Sequence, residues 1–243
     1  MKLTVIGYWG GFPAAEGASS AYMIEKEGFT LLLDMGSGAL MTLQKYKKAS
    51  ELDAVILSHY HADHIADIGV LQHALFVESF IHDSVKTVPI YGHTVDRNAF
   101  RQLNDKKTEA MIYTDNETLK LGPFFIRFLQ TNHPVPCFGM RITDGTHTIV
   151  YTGDSGYQNS WIPFSKDADL LLADCNFYAS QISSDAGHMT SHEVAQIATE
   201  AQVKELILTH LPHYGDHTQL VNEAATLYSG KIQLAQEGLV WGS

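Results

Sequence analysis

The sequence predicts an α/β layered domain made of two similar halves. Three observations lead there. In each half, short β-branched and aromatic runs come first and helical runs follow, the order that layered α/β architectures share. Residues 66–80 set Ile68, Leu71, Leu75 and Phe76 at helical spacing. Residues 190–202 open with Thr190 and carry Glu193 three positions on, the capping-box pattern of a helix start.

Taken in order, residues 3–8, 20–25 and 29–34 are three opening strands, split by Gly-rich or charged turns. A helix follows over 36–48, then a short buried strand over 54–58 that runs into ILSHYHADHIAD. The helix over 66–80, a strand over 87–92 and a helix over 94–103 come next. The middle is mostly β. ETLKLG, PFFIRFLQTNH, CFGMRITD and HTIVYTGDSG are short strands joined by turn residues, and LLLADCNF (170–177) is another. The capped helix, a buried strand over 205–210, a helix over 218–230 and closing β structure in KIQLAQEGLVWG end the sequence. No linker or short-period repeat interrupts it, so a single domain over 1–243 is expected.

The 243 residues, 45% of them hydrophobic, suffice for a core without disulfides. A formal net charge of -11, from 16 Lys and Arg against 27 Asp and Glu, argues against tight unaided binding to nucleic acid, tRNA included. A small anionic ester remains compatible, because divalent cations invert the local field. Cys137 and Cys175 sit in apolar runs and read as small core residues of a reduced, cytoplasmic protein. Neither a signal-peptide pattern nor an apolar stretch near the roughly 20 residues of a spanning helix is found, so no membrane association is expected.

His59, His61, Asp63 and His64 crowd into six positions directly behind an apolar run. The cluster is either a polar turn or half of a metal site. Side chains at the carboxyl ends of strands in α/β sheets converge on a shared crevice. His59 and His61 alternate and can face one point, while Asp63 and His64 can face a second. Imidazole and carboxylate donors suit Zn²⁺ and its neighbours among the divalent metals. Each ion wants about four or five donors. Three later residues share the strand-end context: His133 in FLQTNH, Asp154 in IVYTGD and His210 in LILTH.

With these residues in view, the chain resembles the metallo-β-lactamase fold superfamily of binuclear metallohydrolases, over nearly its whole length. The H-x-H-x-D-H run is the most specific motif. LLLDMGSG, with Asp34, matches the superfamily's earlier strand-end Asp, which supports the cluster from behind; Asp34 also suits the cap of the helix after GSG. The resemblance implies a four-layer αββα sandwich of two mixed β-sheets flanked by helices. It implies two divalent ions, Zn²⁺ first, with Mn²⁺ or Fe as alternatives. His59, His61 and His133 would hold one ion, Asp63, His64 and His210 the other, and Asp154 would bridge them. A bridging Asp is similar to the hydrolase branches, whereas true β-lactamases have a Cys there. A hydroxide shared by ions about 3.5 to 4 Å apart would attack phosphorus or a carbonyl carbon. Asp63 would add a catalytic role, accepting a proton or orienting the nucleophile. No G-x-S-x-G nucleophile elbow is present.

AGHMTSHEVAQIATEA is similar to the ribonuclease Z group and its phosphodiesterase relatives, where a Gly-His-Ser/Thr element precedes an Ala-rich helix and a strand ending in Thr-His. His188 falls on that histidine, which implies a donor to the transition state or leaving group; a purely structural bond suits the position too. Ribonuclease Z has a long tRNA-binding arm between its third His and bridging Asp, but here only 20 residues separate His133 from Asp154. YGH at 91–93 also replaces the group's Tyr-Gly-Pro. The expected function is therefore a phosphodiesterase for a small nucleotide or short nucleic acid, without tRNA 3′ processing. A carboxylic ester, lactone or thioester hydrolase is the alternative enzyme, and a non-catalytic metal-binding regulatory protein the alternative of another class. The resemblance also implies a homodimer. His192 reads as an exposed helix residue, His73, His82 and His147 as surface or core histidines, and His213 and His217 as candidates for the site mouth.

Overall fold

The β-branched and apolar runs of the N-terminal half are extended in the computed structural model, which describes residues 1–181 and 186–243. Contacts divide the chain into two units, Met1–Thr114 with Gln236–Ser243, and Asp115–Ala235. The first contains β1 (Lys2–Trp9), β2 (Ala18–Ser19), β3 (Ala21–Lys26), β4 (Phe29–Leu33), α1 (Ala39–Leu43) and β5 (Ala54–Ile56). After these come α2 (Ala62–Ile65), α3 (Ile68–Glu78), β6 (Val88–Gly92), α4 (Arg97–Arg101) and β7 (Thr108–Ile112). β1, β3 and β4 pair antiparallel, whereas β4, β5, β6 and β7 run parallel. The C-terminal strand Val240–Gly242 adds antiparallel to β1. β5 is buried at every position, as a strand covered on both faces must be.

Several helices are shorter than the sequence predicts, and burial explains why. The helix expected over 36–48 is confined to Ala39–Leu43, because Gln44, Lys45 and Tyr46 beyond it are exposed and have no face to pack. The helix expected over 66–80 is Ile68–Glu78. Its would-be first turn is taken by Asp67, which accepts the Leu40 N–H and donates its own N–H to the Met35 carbonyl. Asp96 accepts from the Asn98 and Ala99 amides and so starts α4 at Arg97. β7 is absent from the sequence reading because TEAMI is a half-exposed edge without clean alternation.

The second unit contains β8 (Leu119–Leu121), β9 (Phe124–Gln130), β10 (Phe138–Thr143), β11 (Thr148–Tyr151), α5 (Trp161–Phe164) and β12 (Leu170–Asp174). It continues with α6 (Ser191–Glu200), β13 (Glu205–Thr209), α7 (His217–Ala224) and β14 (Lys231–Leu234). Among the described residues its sheet has the order β14-β13-β12-β11-β10-β9-β8, parallel from β11 to β14 and antiparallel from β8 to β11. Both units thus combine an antiparallel part with a parallel one. The closing β structure divides, with Lys231–Leu234 in this sheet and Val240–Gly242 in the other. α5 went unpredicted; it forms around Trp161, whose buried indole N–H donates to Ser155 Oγ at 3.0 Å. Among the described residues no helix is long and apolar enough to cross a membrane.

α6 starts as its capping box requires. Thr190 Oγ1 accepts the Glu193 N–H at 3.2 Å, and Glu193 accepts the Thr190 N–H at 2.8 Å. Thr190→Ala should cost about 1 kcal/mol, a fall of roughly 2–4 °C in Tm for a chain of this size, measurable by calorimetry. Glu223 on α7 accepts from Ser191 Oγ at 2.5 Å and from the Ala179 N–H at 2.9 Å. Burial pushes its carboxyl up, but the Ser191 hydroxyl, the Ala179 amide and the Gln219 amide outweigh that and hold it below the usual range. A depressed carboxyl stabilises the fold at neutral pH and loses that contribution as pH falls through its folded pKa. Glu223→Gln should therefore lower the urea midpoint at pH 7, and the gap to wild type should close toward pH 3.

Candidate metal centre

In the first unit, β4 and β5 are parallel neighbours, with Leu33 paired to Ile56. Their carboxyl ends bring Asp34 beside Ser58 and His59. Asp34 is fully buried with a left-handed backbone, φ 55, and its N–H donates to the Ile56 carbonyl at 2.9 Å. Its Oδ1 accepts the Ser58 N–H at 2.7 Å. Its Oδ2 accepts the Ser58 hydroxyl at 2.7 Å and faces His64 Nδ1 at 2.8 Å.

These contacts fix the histidine tautomers. The single Ser58 hydroxyl proton goes to Asp34, so the oxygen must accept from His59 Nδ1, 3.0 Å away. His64 Nδ1 likewise donates to Asp34. Both imidazoles are then tied from the rear at Nδ1, which leaves Nε2 as the basic, ligand-forming nitrogen. The His59 ring lies 4.8 Å from His61 and 4.2 Å from His64, centroid to centroid. Asp63 is buried, with Oδ2 3.5 Å from His64 Nε2 and accepting the Gly11 N–H at 2.7 Å. Gly36 allows the chain after Asp34 to run beneath this turn, since a Cβ there would stand 2.0 Å from the Asp63 carbonyl oxygen.

The second unit gathers its donors by the same rule. β11, β12 and β13 are adjacent and parallel, so Asp154, Asp174 and His210 follow or end neighbouring strands on one edge. β9 points the same way and delivers His133. His133 Nδ1 donates to the Gly187 carbonyl at 3.0 Å, again turning Nε2 forward. Asp154 divides its oxygens: Oδ2 is 3.8 Å from His133 Nε2 and Oδ1 is 3.4 Å from His210 Nε2. His210 adopts φ 54 and stacks on His188, with centroids 5.0 Å apart and planes at 19°. His188 Nδ1 is 2.7 Å from Asp174 Oδ2, which also accepts the Ser155 N–H at 3.1 Å. Ligand atoms of Asp154, Asp174, His188 and His210 all lie within 4.8 Å of one another.

Burial pushes the Asp174 carboxyl up, but His188 and His210 beside it outweigh that and hold it below the ordinary range. Burial pulls His188 down, yet the Asp174 carboxylate more than offsets it and raises its pKa. The two shifts describe one pair sharing a proton-stabilising contact. Asp174 escaped the sequence reading, although LLLAD repeats the strand-end pattern of LLLD at Asp34. Ser58 and Gly11 escaped as well; no residue-type signal marks a hydroxyl or a backbone amide as a partner.

His93 is buried, and its carbonyl accepts from the Tyr60 hydroxyl at 2.6 Å. His192 is exposed on α6, 3.4 Å from Thr226 Oγ1 through Nε2. His73 and His82 are exposed, and His147 lies 4.0 Å from Asp144. His217 bonds the Pro212 carbonyl at 2.6 Å, and His213 is exposed. Cys137 and Cys175 are buried and in no disulfide, and burial pushes the Cys175 thiol well up. The donor sets fit divalent ions in both units. Each offers imidazoles with Nε2 turned to a common side, carboxylate oxygens beside them, and rear hydrogen bonds that fix the rings.

A family model described as β-lactamase superfamily domain matches residues 30–211. The chain belongs to the β-lactamase superfamily. One mixed sheet with flanking helices in each unit is the metallo-β-lactamase fold. Within this superfamily, the chain is 54% identical over 242 residues to "Probable metallo-hydrolase YhfI" of Bacillus subtilis (strain 168), covering 99% of each chain. The crystal structure of YhfI gives a TM-score of 0.98 over 99% of this chain and 98% of that one. A ribonuclease Z of Haloferax volcanii is 24% identical over 301 residues, 98% of this chain and 93% of its own. The crystal structure of a diphosphatase from the PhnP family shares the fold, with TM-score 0.78 at 20% identity, over 100% of this chain and 97% of the other.

In this β-lactamase-superfamily chain, Asp34→Ala would leave the Ser58 amide, the Ser58 hydroxyl and His64 Nδ1 without their buried acceptor. At roughly 1–3 kcal/mol per orphaned group with partial relaxation, the loss should be about 3 kcal/mol, measured by urea denaturation.

Proposed function

We propose that the chain is a binuclear metal-dependent phosphodiesterase acting on a small nucleotide or short nucleic acid. The coarser class is a metallo-hydrolase of the β-lactamase superfamily. In the finer reading, His59, His61 and His133 hold one divalent ion, Asp63, His64 and His210 the second, and Asp154 serves both. Zn²⁺ suits these donors best, with Mn²⁺ or Fe as alternatives. Bound ions would supply Lewis acidity, lowering the pKa of a water and neutralising charge on substrate oxygens.

The observation that carries the phosphodiester reading is the Asp174–His188 pair, 2.7 Å apart and packed against His210. Asp174 accepts from Nδ1, which raises the pKa of the imidazole and turns Nε2 outward as a proton donor. A raised imidazole pKa favours the cationic form, suited to a phosphoryl oxygen or an alkoxide leaving group. Carbonyl hydrolysis has less need of a second cation there. Asp63 is oriented by the Gly11 amide at Oδ2, the oxygen that also lies 3.5 Å from His64 Nε2. The short 133–154 interval and the charge of -11 disfavour a folded tRNA and favour a small substrate. A ribonuclease Z and a diphosphatase among the similar proteins agree with phosphate chemistry.

Purified, metal-loaded protein should hydrolyse bis(p-nitrophenyl) phosphate. His188→Ala should lower that activity about 100-fold or more, the usual worth of a positioned acid, while sparing any activity on carboxylic esters or lactones. Phosphodiesterase activity unchanged in His188→Ala would overturn the assignment.

A further inference from the structure

The loop at residues 10–17, between β1 and β2, carries no Lys or Arg, yet it is held at two points. Gly11 lies at φ 75, and the Phe12 N–H donates to the Gly10 carbonyl at 2.9 Å. A bond from residue i+2 back to i around a positive φ makes a γ-turn of the rarer kind, which glycine adopts without steric cost because it has no Cβ. Here the turn aims the Gly11 N–H at Asp63 Oδ2, 2.7 Å away. Further along, the Gly17 N–H closes a second turn on the Ala14 carbonyl at 3.3 Å. The Trp9 indole packs on Gly17 so closely that a Cβ there would lie 2.5 Å from its nitrogen.

Between these two anchors sits Phe12, 59% exposed. Its Cα is one chain step, about 3.8 Å, from the residue bonded to Asp63. Pro13 restricts its backbone to extended conformations. Phe12 is thus presented on a braced loop beside a proposed metal ligand. The loop's lack of cations makes it unsuited to a phosphate, whereas a neutral ring suits the flat apolar face of a nucleobase.

We propose that Phe12 is a specificity-determining residue whose ring stacks on the nucleobase flanking the scissile phosphate. This rests on the phosphodiesterase reading and assigns the contact that recognises the base of its nucleotide substrate. The γ-turn links the two parts: the Gly11 backbone amide orients Asp63, and the Phe12 side chain, which makes no part of that bond, follows in the same turn. Base–aromatic stacking is worth about 1–3 kcal/mol per base and tolerates any base identity.

Two esters with one leaving group isolate the base: thymidine 5′-(4-nitrophenyl phosphate) and methyl 4-nitrophenyl phosphate. Wild type should prefer the thymidine ester. Phe12→Ala should raise KM for that ester by roughly 5- to 100-fold and leave the methyl ester unchanged. Phe12→Trp should restore the preference. Equal losses on both esters, or an unchanged ratio, would overturn the role of Phe12 while leaving the phosphodiesterase reading intact. Wild-type protein that cleaves neither ester would overturn both.

Discussion

The carboxylate of Asp34 is the constraint on which the first unit's chemistry depends. A fully buried charge is tolerable only when its oxygens are hydrogen-bonded, and Asp34 takes three donors from two residues, the Ser58 amide, the Ser58 hydroxyl and His64 Nδ1. Each bond does two things at once. It satisfies the charge, and it fixes a proton that would otherwise be free to sit on either nitrogen of a ring. Through Ser58 the influence passes to His59, so one carboxylate sets the tautomers of two imidazoles. The left-handed backbone at Asp34 is the local cost of bringing that carboxylate under the turn.

Asp174 plays a related part in the second unit with a different result. It too is buried at a strand end and accepts a backbone amide and an imidazole. Its imidazole partner, His188, retains 19% side-chain exposure, whereas His64 beside Asp34 is fully buried. The same residue pair is sealed within the fold in one place and partly open to solvent in the other. Burial distinguishes the two.

The motif-bearing strands were legible because residue type and position carried the same message. β5 is apolar and buried at every position and runs on into the histidine cluster, so both its burial and its donors could be read directly. α6 was legible through a capping box that is local and complete in four residues. Legibility failed where the cause lies outside the segment. β7 exists because it adds to the edge of a parallel sheet, and α5 because a Trp finds Ser155; neither fact is written in the segment itself. The candidate donors were named from their strand-end contexts, and Asp34 was named behind the cluster, but the other rear partners were not. Asp174 had a usable signal in the LLLAD pattern. Ser58 and Gly11 had none, since a common hydroxyl and a backbone amide acquire meaning only once the turns are formed.

The donors of the second unit share a placement whose consequence concerns how such chains diverge. His133, Asp154, Asp174 and His210 each stand at or just beyond a strand's carboxyl end, anchored by the register of neighbouring strands. The connections between them leave from those points and return elsewhere. A connection can therefore lengthen, shorten or change sequence without shifting a donor, because loop closure costs grow only slowly with length. An inserted residue within β12 or β13 has no such freedom, as a one-residue slip turns every side chain to the opposite face. Chains of this design can acquire new reach beyond their loops while the donor atoms stay where they are.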